Sequence, residues 1–446
     1  MLTDCFGNQL TTSTGLARDN YDIGLRAFLS ANYGAQEAFS QAVEADPNFA
    51  LAYLGLARSF MGSGQLAEAR KSIEKAKNVL ELSTDREKSH FLCCELIVLG
   101  AAKKAREAVH KHVLEWPRDA MIAQMNTSVF GLIGFSGEVG READLLDYTE
   151  KLLPFYGDDW WMMSMHAISL CETGQTLEAM DMMEKALSLN PRNANAAHFF
   201  AHILYEENEI SAGRAYLNAW MPKYDRRSIL HGHLSWHQAL WALHDADEPA
   251  MWDIIDASVS QENTSSVPIN ALTDTASIYY RAELAGYTVQ PERWLQLSEY
   301  AAHKFPNMGQ SFADIHAALA HAMAGNEEAL AKLIEGNNGF AGDIVPSAAK
   351  AWKAISKGKW DTARIEFETM LLGFERFGGS RAQRDLLEFA YVNVLLRTGK
   401  KEAAKKILLD RRPAVRAGRQ CHHPGGKDGA DHPQVQSSKS VSKPYP

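Results

Sequence analysis

The sequence predicts an all-α superhelix of helical hairpins, and three observations carry that expectation. Apolar residues recur at intervals of three and four, not two, so strand signals are almost absent. The periodic stretches end at Gly, Asn or Pro, residues that stop helices. Large and small packing residues return in one phase at a spacing of about 34 residues, the period of a stacked helix pair.

Taken in order, the first unit supplies Ala35, Phe39, Ala42 and Pro47. The next places Tyr53, Leu56, Ala57, Phe60, Gly64, Ala69, Ile73 and Ala76 where a tetratricopeptide unit needs its packing residues. Leu92, Cys93, Leu96, Gly100, Ala105, Val109 and Pro117 form another unit. Ala167, Leu170, Gly174, Ala179, Met183, Ala186 and Pro191 form the clearest one. Small residues let the two helices of a hairpin approach, and large ones fill the gap to the next hairpin. Gly makes the inner turn, and Pro stops the second helix. The unit from Ala194 keeps the phase loosely through Phe200, Ala201, Leu204, Gly213 and Leu217. Helices ending near Gly286, Gly325, Gly358 and Gly399 read as first arms. Trp360, Ala363 and Phe367, then Ala404 and Leu408, fall on second arms. That spacing predicts roughly eight to eleven hairpins, and the drift of the later units points to a closed or specialised superhelix. Gln261 to Pro268 reads as a polar loop. The expected organisation is a tetratricopeptide-like α-solenoid over residues 1–411 and a disordered tail over 412–446. The tail holds five of the fifteen prolines and no apolar periodicity, so its His422-His423 pair reads as solvated.

Hydrophobic content of 46% and charged content of 23% are those of a soluble folded chain. Net charge is −9; the tail has six Lys/Arg against two Asp, or +4, which leaves −13 on the body. An acidic body without a basic stripe argues against nucleic acid as a partner. Five cysteines, odd in number and without zinc spacing, fit a reducing compartment. The first residues lack the charge and apolar run of a secretory signal. No apolar run reaches the roughly 18 residues that would span a bilayer. A cytoplasmic location and no membrane partner are therefore expected. Phosphate loops, dinucleotide fingerprints and His-Glu-x-x-His are absent, which disfavours nucleotide and protease chemistry.

The stretch from Pro191 to Asp245 holds six of the sixteen histidines. His198 and His202 are four apart, as are His233 and His237, so each pair lies one helical turn apart on one face. First helices of a tetratricopeptide stack line its concave surface, about 10 Å from their neighbours. His198, His202, Tyr205 and Glu206 are expected on one such helix, and His233, Trp236, His237 and His244 on the next. Asp274, Ser277 and Arg281 share a face of the following helix, and Asp314 and His316 open the one after. All are expected to converge on one inner pocket, with Trp161 as a possible wall.

Five ordered blocks resemble the tetratricopeptide repeat protein 38 family over about residues 3 to 411. They are His198-Phe-Phe-Ala-His202, His233-Leu-Ser-Trp-His237, Asp274-Thr-Ala-Ser-Ile-Tyr-Tyr-Arg281, Phe312-Ala-Asp-Ile-His316 and Gly378-Gly-Ser-Arg-Ala-Gln-Arg-Asp385. Tyr205 stands where the family tends to carry an acid, and Thr127-Ser128 replaces a His-Asp pair. The resemblance implies a helical-repeat fold and names no reaction.

Three readings of the constellation stand side by side. In one, His198, His202, His233 and His237 hold a divalent transition metal, with Asp274 or Asp314 as ligand or hydrogen-bond acceptor. In another, the chain is a small-molecule enzyme, a hydrolase or acid–base catalyst. There a histidine among these, or His316, acts as acid or base, Asp274 or Asp314 orients it, and Arg281 holds an anionic substrate. Trp236, Tyr205, Ser277 and Trp161 would complete the substrate wall. In the third, which leads because such arrays most often bind proteins, the same residues form a structural network whose His–Asp and Arg–Asp bonds lock the hairpins, or line a site for a peptide segment or small ligand. Elsewhere, His166 reads as a core histidine, and His90, His110 and His112, amid Lys and Glu, as solvated. Asp385 reads as a helix cap or first-turn acid, with Arg381 and Arg384 as ion-pair partners.

Overall fold

The computed structural model describes residues 2–336 and 339–410. The expected tail, with His422 and His423, lies outside the described residues. Twenty-two α-helices run through them. Three hairpins come first: α1/α2 (Gly15–Leu29, Ala35–Ala45), α3/α4 (Ala50–Gly62, Leu66–Asn78) and α5/α6 (Asp85–Val98, Ala102–Glu115). The repeat then falters. α7 (Ala120–Ala123) is a single turn, and irregular chain leads on to α8 (Arg141–Tyr156). Regular pairing resumes with α9/α10 (Trp160–Glu172, Thr176–Leu189), α11/α12 (Ala194–Glu206, Ile210–Trp220) and α13/α14 (His231–His244, Glu248–Ile254). It continues through α15/α16 (Pro268–Leu284, Pro291–Lys304) and α17/α18 (Ser311–Ala324, Glu327–Glu335). It ends with α19/α20 (Val345–Ser356, Trp360–Met370) and α21/α22 (Arg381–Arg397, Lys401–Asp410). The fold is the expected tetratricopeptide-like superhelix. Its only strands among the described residues are the short antiparallel pair Leu2–Thr3 and Gln9–Leu10.

One device makes the inner turns. Gly64 and Gly174 sit at φ +74° and +84°, the left-handed region that ends a helix at no cost to glycine.

Apolar packing falls into two clusters. One runs from Phe6 to Trp241, the other from Trp236 to Val394. They meet on α13, whose Trp241 faces the first and Trp236 the second. The helix that carries His233 and His237 is thus the seam between two cores.

The superhelix is wound tightly enough for distant units to touch. The Ala194 amide donates to the Ser30 carbonyl at 3.0 Å, and the Tyr224 hydroxyl donates to the Ala31 carbonyl at 2.5 Å. Farther on, buried Arg141 donates to the backbone carbonyls of Gly134, Glu375 and Gly379. The Gly378-Gly379 pair explains itself here. Both residues have positive φ, +91° and +74°, and a side chain on either would run into Phe135 or Phe312. The start of α21 thereby folds back onto α8, α9, α11 and α15.

Candidate metal centre

Local sequence sets the two histidine helices rigidly. The Asn193 side chain caps α11 by accepting from the Ala196 amide at 3.2 Å. Gly232, in the first turn of α13, lies so close to Thr264, Ser266 and the Ser258 carbonyl that no Cβ would fit. Because α11 and α13 are successive first arms, their i, i+4 histidine pairs face one another.

The result is a closed knot of four buried imidazoles. His198, His202, His233 and His237 each offer a ring nitrogen, and these nitrogens lie within 4.8 Å of one another. His198 Nε2 is 2.8 Å from His202 Nε2 and also 2.8 Å from His233 Nε2. The His198 and His237 rings are 5.3 Å apart. Behind His233, Nδ1 meets Asp274 Oδ2 at 2.7 Å. A carboxylate accepts only, so His233 carries a proton on Nδ1 and turns Nε2 inward. Neither ring nitrogen of His237 has a hydrogen-bond partner, nor has His202 Nδ1. Burial, and then the neighbouring imidazoles, push His198 and His237 well below the ordinary range and His202 down to about 3. All three are therefore neutral at pH 7, the form that binds metals.

Around the knot lies a sheath of aromatics and a polar belt. Trp236 stacks on His233 at 5.3 Å, and Phe130 approaches its ring at 6.5 Å. Phe130 is itself packed on Phe135 and Phe312. On α15, Arg281 donates to the Ser277 hydroxyl at 3.2 Å, the Tyr205 oxygen at 3.3 Å and the Ala382 carbonyl at 2.7 Å. The Tyr205 hydroxyl donates to Asp385 Oδ2 at 2.8 Å. This belt ties α11, α15 and α21 together beside the imidazoles. His316, pushed down to about 4 chiefly by burial, bonds the Phe312 carbonyl one turn back at 2.7 Å. Asp314 accepts from the Gly309 amide at 3.0 Å, at the turn that starts its helix.

The structure therefore brings His198, His202, His233, His237 and Asp274 into direct contact, with Trp236, Arg281, Tyr205 and Ser277 around them. Several expectations need correcting. The polar residues are buried against one another rather than spread along an open inner surface, and cavities of about 610 and 290 Å3 lie elsewhere. Trp161 faces away, its ring edge-on to Phe6 and Tyr156 in the first core. His244 is exposed at the end of α13. Asp385 is not the cap of α21: Ser380 and Gln383 form a capping box there, which leaves Asp385 for Tyr205. Arg384 pairs with Glu142, and Arg381 lies 3.5 Å from Glu206.

His90 and His112 are also buried, not solvated, though His110 is exposed. Lys88 and Lys111, beside them in sequence, face solvent from the other sides of α5 and α6. His90 Nδ1 lies 3.0 Å and His112 Nε2 3.3 Å from Asp119 Oδ2, which Arg86 also contacts. The i, i+4 spacing of Arg86 and His90 was a visible signal for this cluster. Nothing in sequence marked Phe130 and Phe135, which sit in the irregular segment.

Comparison with known proteins agrees with the fold. A tetratricopeptide repeat model matches residues 34–83 and 170–232. Among solved structures, a human IFIT1 dimer with m7Gppp-AAAA is 14% identical, covers 92% of this chain and 97% of its own, and has a TM-score of 0.46. Yeast Tom70 is 15% identical, with coverage of 88% and 83% and a TM-score of 0.35. The exclusion of nucleic acid rests on charge alone. No helix among the described residues is long and apolar enough to cross a membrane. The chain is a helical-repeat protein that contains tetratricopeptide repeats.

Proposed function

We propose that this chain is a binding protein of the tetratricopeptide repeat protein 38 kind, pinned internally by a buried metal. In this reading His198, His202, His233 and His237 hold one divalent transition ion, with Asp274 orienting His233. The five ordered sequence blocks support the kinship. One observation carries the metal: His198 Nε2 faces two other Nε2 atoms at 2.8 Å. A neutral imidazole nitrogen either donates one proton or accepts one, so it serves only one such contact well. A second contact in a dry site wastes a buried polar atom at a cost of about 1–3 kcal/mol. A cation at the centre turns every lone pair to use. Metal–nitrogen bonds of about 2.0–2.1 Å in a tetrahedron separate ligands by about 3.3 Å, so the contacts need to open by only about half an ångström. Imidazole suits zinc, copper, nickel and iron, and the Asp–His–metal relay fixes the tautomer. The ion would join two successive first arms, α11 and α13, at the seam between the cores, and Asp274 would tie in a third, α15. A partner segment would lie in the groove of about 610 Å3 that α1 to α4 share with residues 227–229.

Metal analysis of the purified full chain tests this. About one equivalent of zinc, copper, nickel or iron is expected, falling to background in His198→Ala. Protein prepared without chelators that holds none sinks the reading.

A second reading, catalysis at the same ion, is favoured by His237, whose two ring nitrogens make no hydrogen bond while Nε2 of His198 contacts those of His202 and His233. A metal held by three histidines keeps a fourth position for water or substrate. His237→Ala separates the two. It keeps the metal if three ligands suffice and loses it if the shell is closed by four.

A further inference from the structure

The second cavity, about 290 Å3, is lined by Phe135 and by Phe130, whose ring also lies 6.5 Å from that of His233. Its walls are mostly apolar: Met61, Ile97, Met125, Leu132 and Phe340 join the two phenylalanines. Its charged lining residues are Arg58, Lys103 and Arg106, with no Asp or Glu among them. That is an inversion of charge in a chain whose net charge is −9. Arg106 is answered from outside the lining by Glu138. Arg58 is not answered in this way. Its Nη2 donates to the neutral Gln124 Oε1 at 2.6 Å, its Cζ lies 5.5 Å from the centre of the Phe28 ring, and its buried Nε has no hydrogen-bond partner. A guanidinium sunk among apolar groups without a carboxylate is costly to keep, and an anion that fills the cavity would offset that cost.

We propose that this cavity binds a small organic carboxylate with an apolar body, its headgroup on Arg58 and its body against Phe130, Phe135 and Leu132. The space equals roughly ten waters, enough for a ligand of about 10–15 non-hydrogen atoms. Arg58 beside an apolar wall matches a carboxylate with an apolar body; inorganic phosphate would leave that wall unused. The site stands on its own residues and does not depend on the metal. Still, its floor is one phenyl ring away from His233.

Calorimetric titration of the full-length protein with octanoate, octanol and inorganic phosphate tests the assignment. Octanoate is expected to bind at least tenfold more tightly than octanol, and phosphate not to bind. Arg58→Met should bring octanoate down to the affinity of octanol. Leu132→Trp, which fills the cavity, should abolish both while leaving the helical circular-dichroism spectrum and melting temperature unchanged, so that lost binding is not mistaken for lost fold. Equal affinity for octanoate and octanol overturns the proposal. So do full octanoate binding by Arg58→Met, preference for phosphate, and no binding of either octyl ligand.

Discussion

The chain contains two buried histidine clusters, and they solve opposite problems. In the first, His90 and His112 both turn a nitrogen to Asp119, and Arg86 supplies a full positive charge to the same carboxylate. Burial alone would raise Asp119, yet the charges on His90 and Arg86 and the bonds from both histidines hold it well below the usual carboxylate range. The cluster is a charge already neutralised by its own side chains. In the second, four imidazoles share one carboxylate, Asp274, which touches only His233 among them. Nε2 of His198 faces those of His202 and His233, and neither nitrogen of His237 has a hydrogen-bond partner. Histidines gathered on an acid make a structural strut. Histidines gathered on one another leave inward nitrogens with no acid to answer them.

The comparison breaks most visibly on metal content. Replacing His233 with Ala should release the ion and lower the melting temperature by ten degrees or more, since about 10–16 kcal/mol binds structural zinc in small domains. His90→Ala should leave the metal in place. Equal metal in both variants would erase the distinction. The next effect belongs to the first cluster. Asp119→Ala strands Arg86 in a buried site and should cost about 3–5 kcal/mol in denaturant unfolding. Its metal content should not change.

Acid should separate the two halves as well. His316 and His321 lie in the second core, pushed down to about 4, chiefly by burial. Groups depressed on folding add stability above their unfolded value near 6.5, and that stability is lost as pH falls towards 4. The expected loss is roughly 3 kcal/mol for each, as an order of magnitude. His90 is lowered too, but Asp119 partly offsets its burial. Hydrogen exchange at pH 5 should therefore show α17 opening before α5. The reverse order would mean that the Asp119 strut protects less than its geometry implies.

Sequence made the scaffold readable for a simple reason. A repeat writes its packing rule many times, and Gly64, Gly174 and Pro191 mark its turns in the chain itself. The pairing of His198/His202 with His233/His237 was equally open, because i, i+4 spacing on successive first arms is local information plus one stacking step. What stayed hidden depends on contacts that spacing does not encode. Tyr205 and Asp385 meet only because the superhelix closes on itself. Phe130 and Phe135 come from an aperiodic segment, so no pattern placed them against His233. His90 and His112 were misread because Lys and Glu lie beside them in sequence, whereas burial follows the helix face. Trp161 had two faces available to it, and the first core claimed it.

The smallest expected effect is the sharpest probe of what the second carboxylate does. In the first cluster the acid is the centre, so removing its charge collapses the arrangement. In the second the acid stands behind one ligand, so Asp274→Asn should keep the fold and most of the ion while loosening its hold. An amide can still accept the Nδ1 proton, which preserves the tautomer, but it no longer raises the basicity of Nε2. Loss of such a partner typically weakens metal affinity by about 10–100-fold. Competition against a chelator of known affinity reads that change directly, and His233→Ala provides the floor. If Asp274→Asn holds metal as tightly as the parent, the carboxylate is only a packing acceptor. If it loses the metal as completely as His233→Ala, the carboxylate is itself a ligand and the two clusters resemble each other more than their geometry indicates.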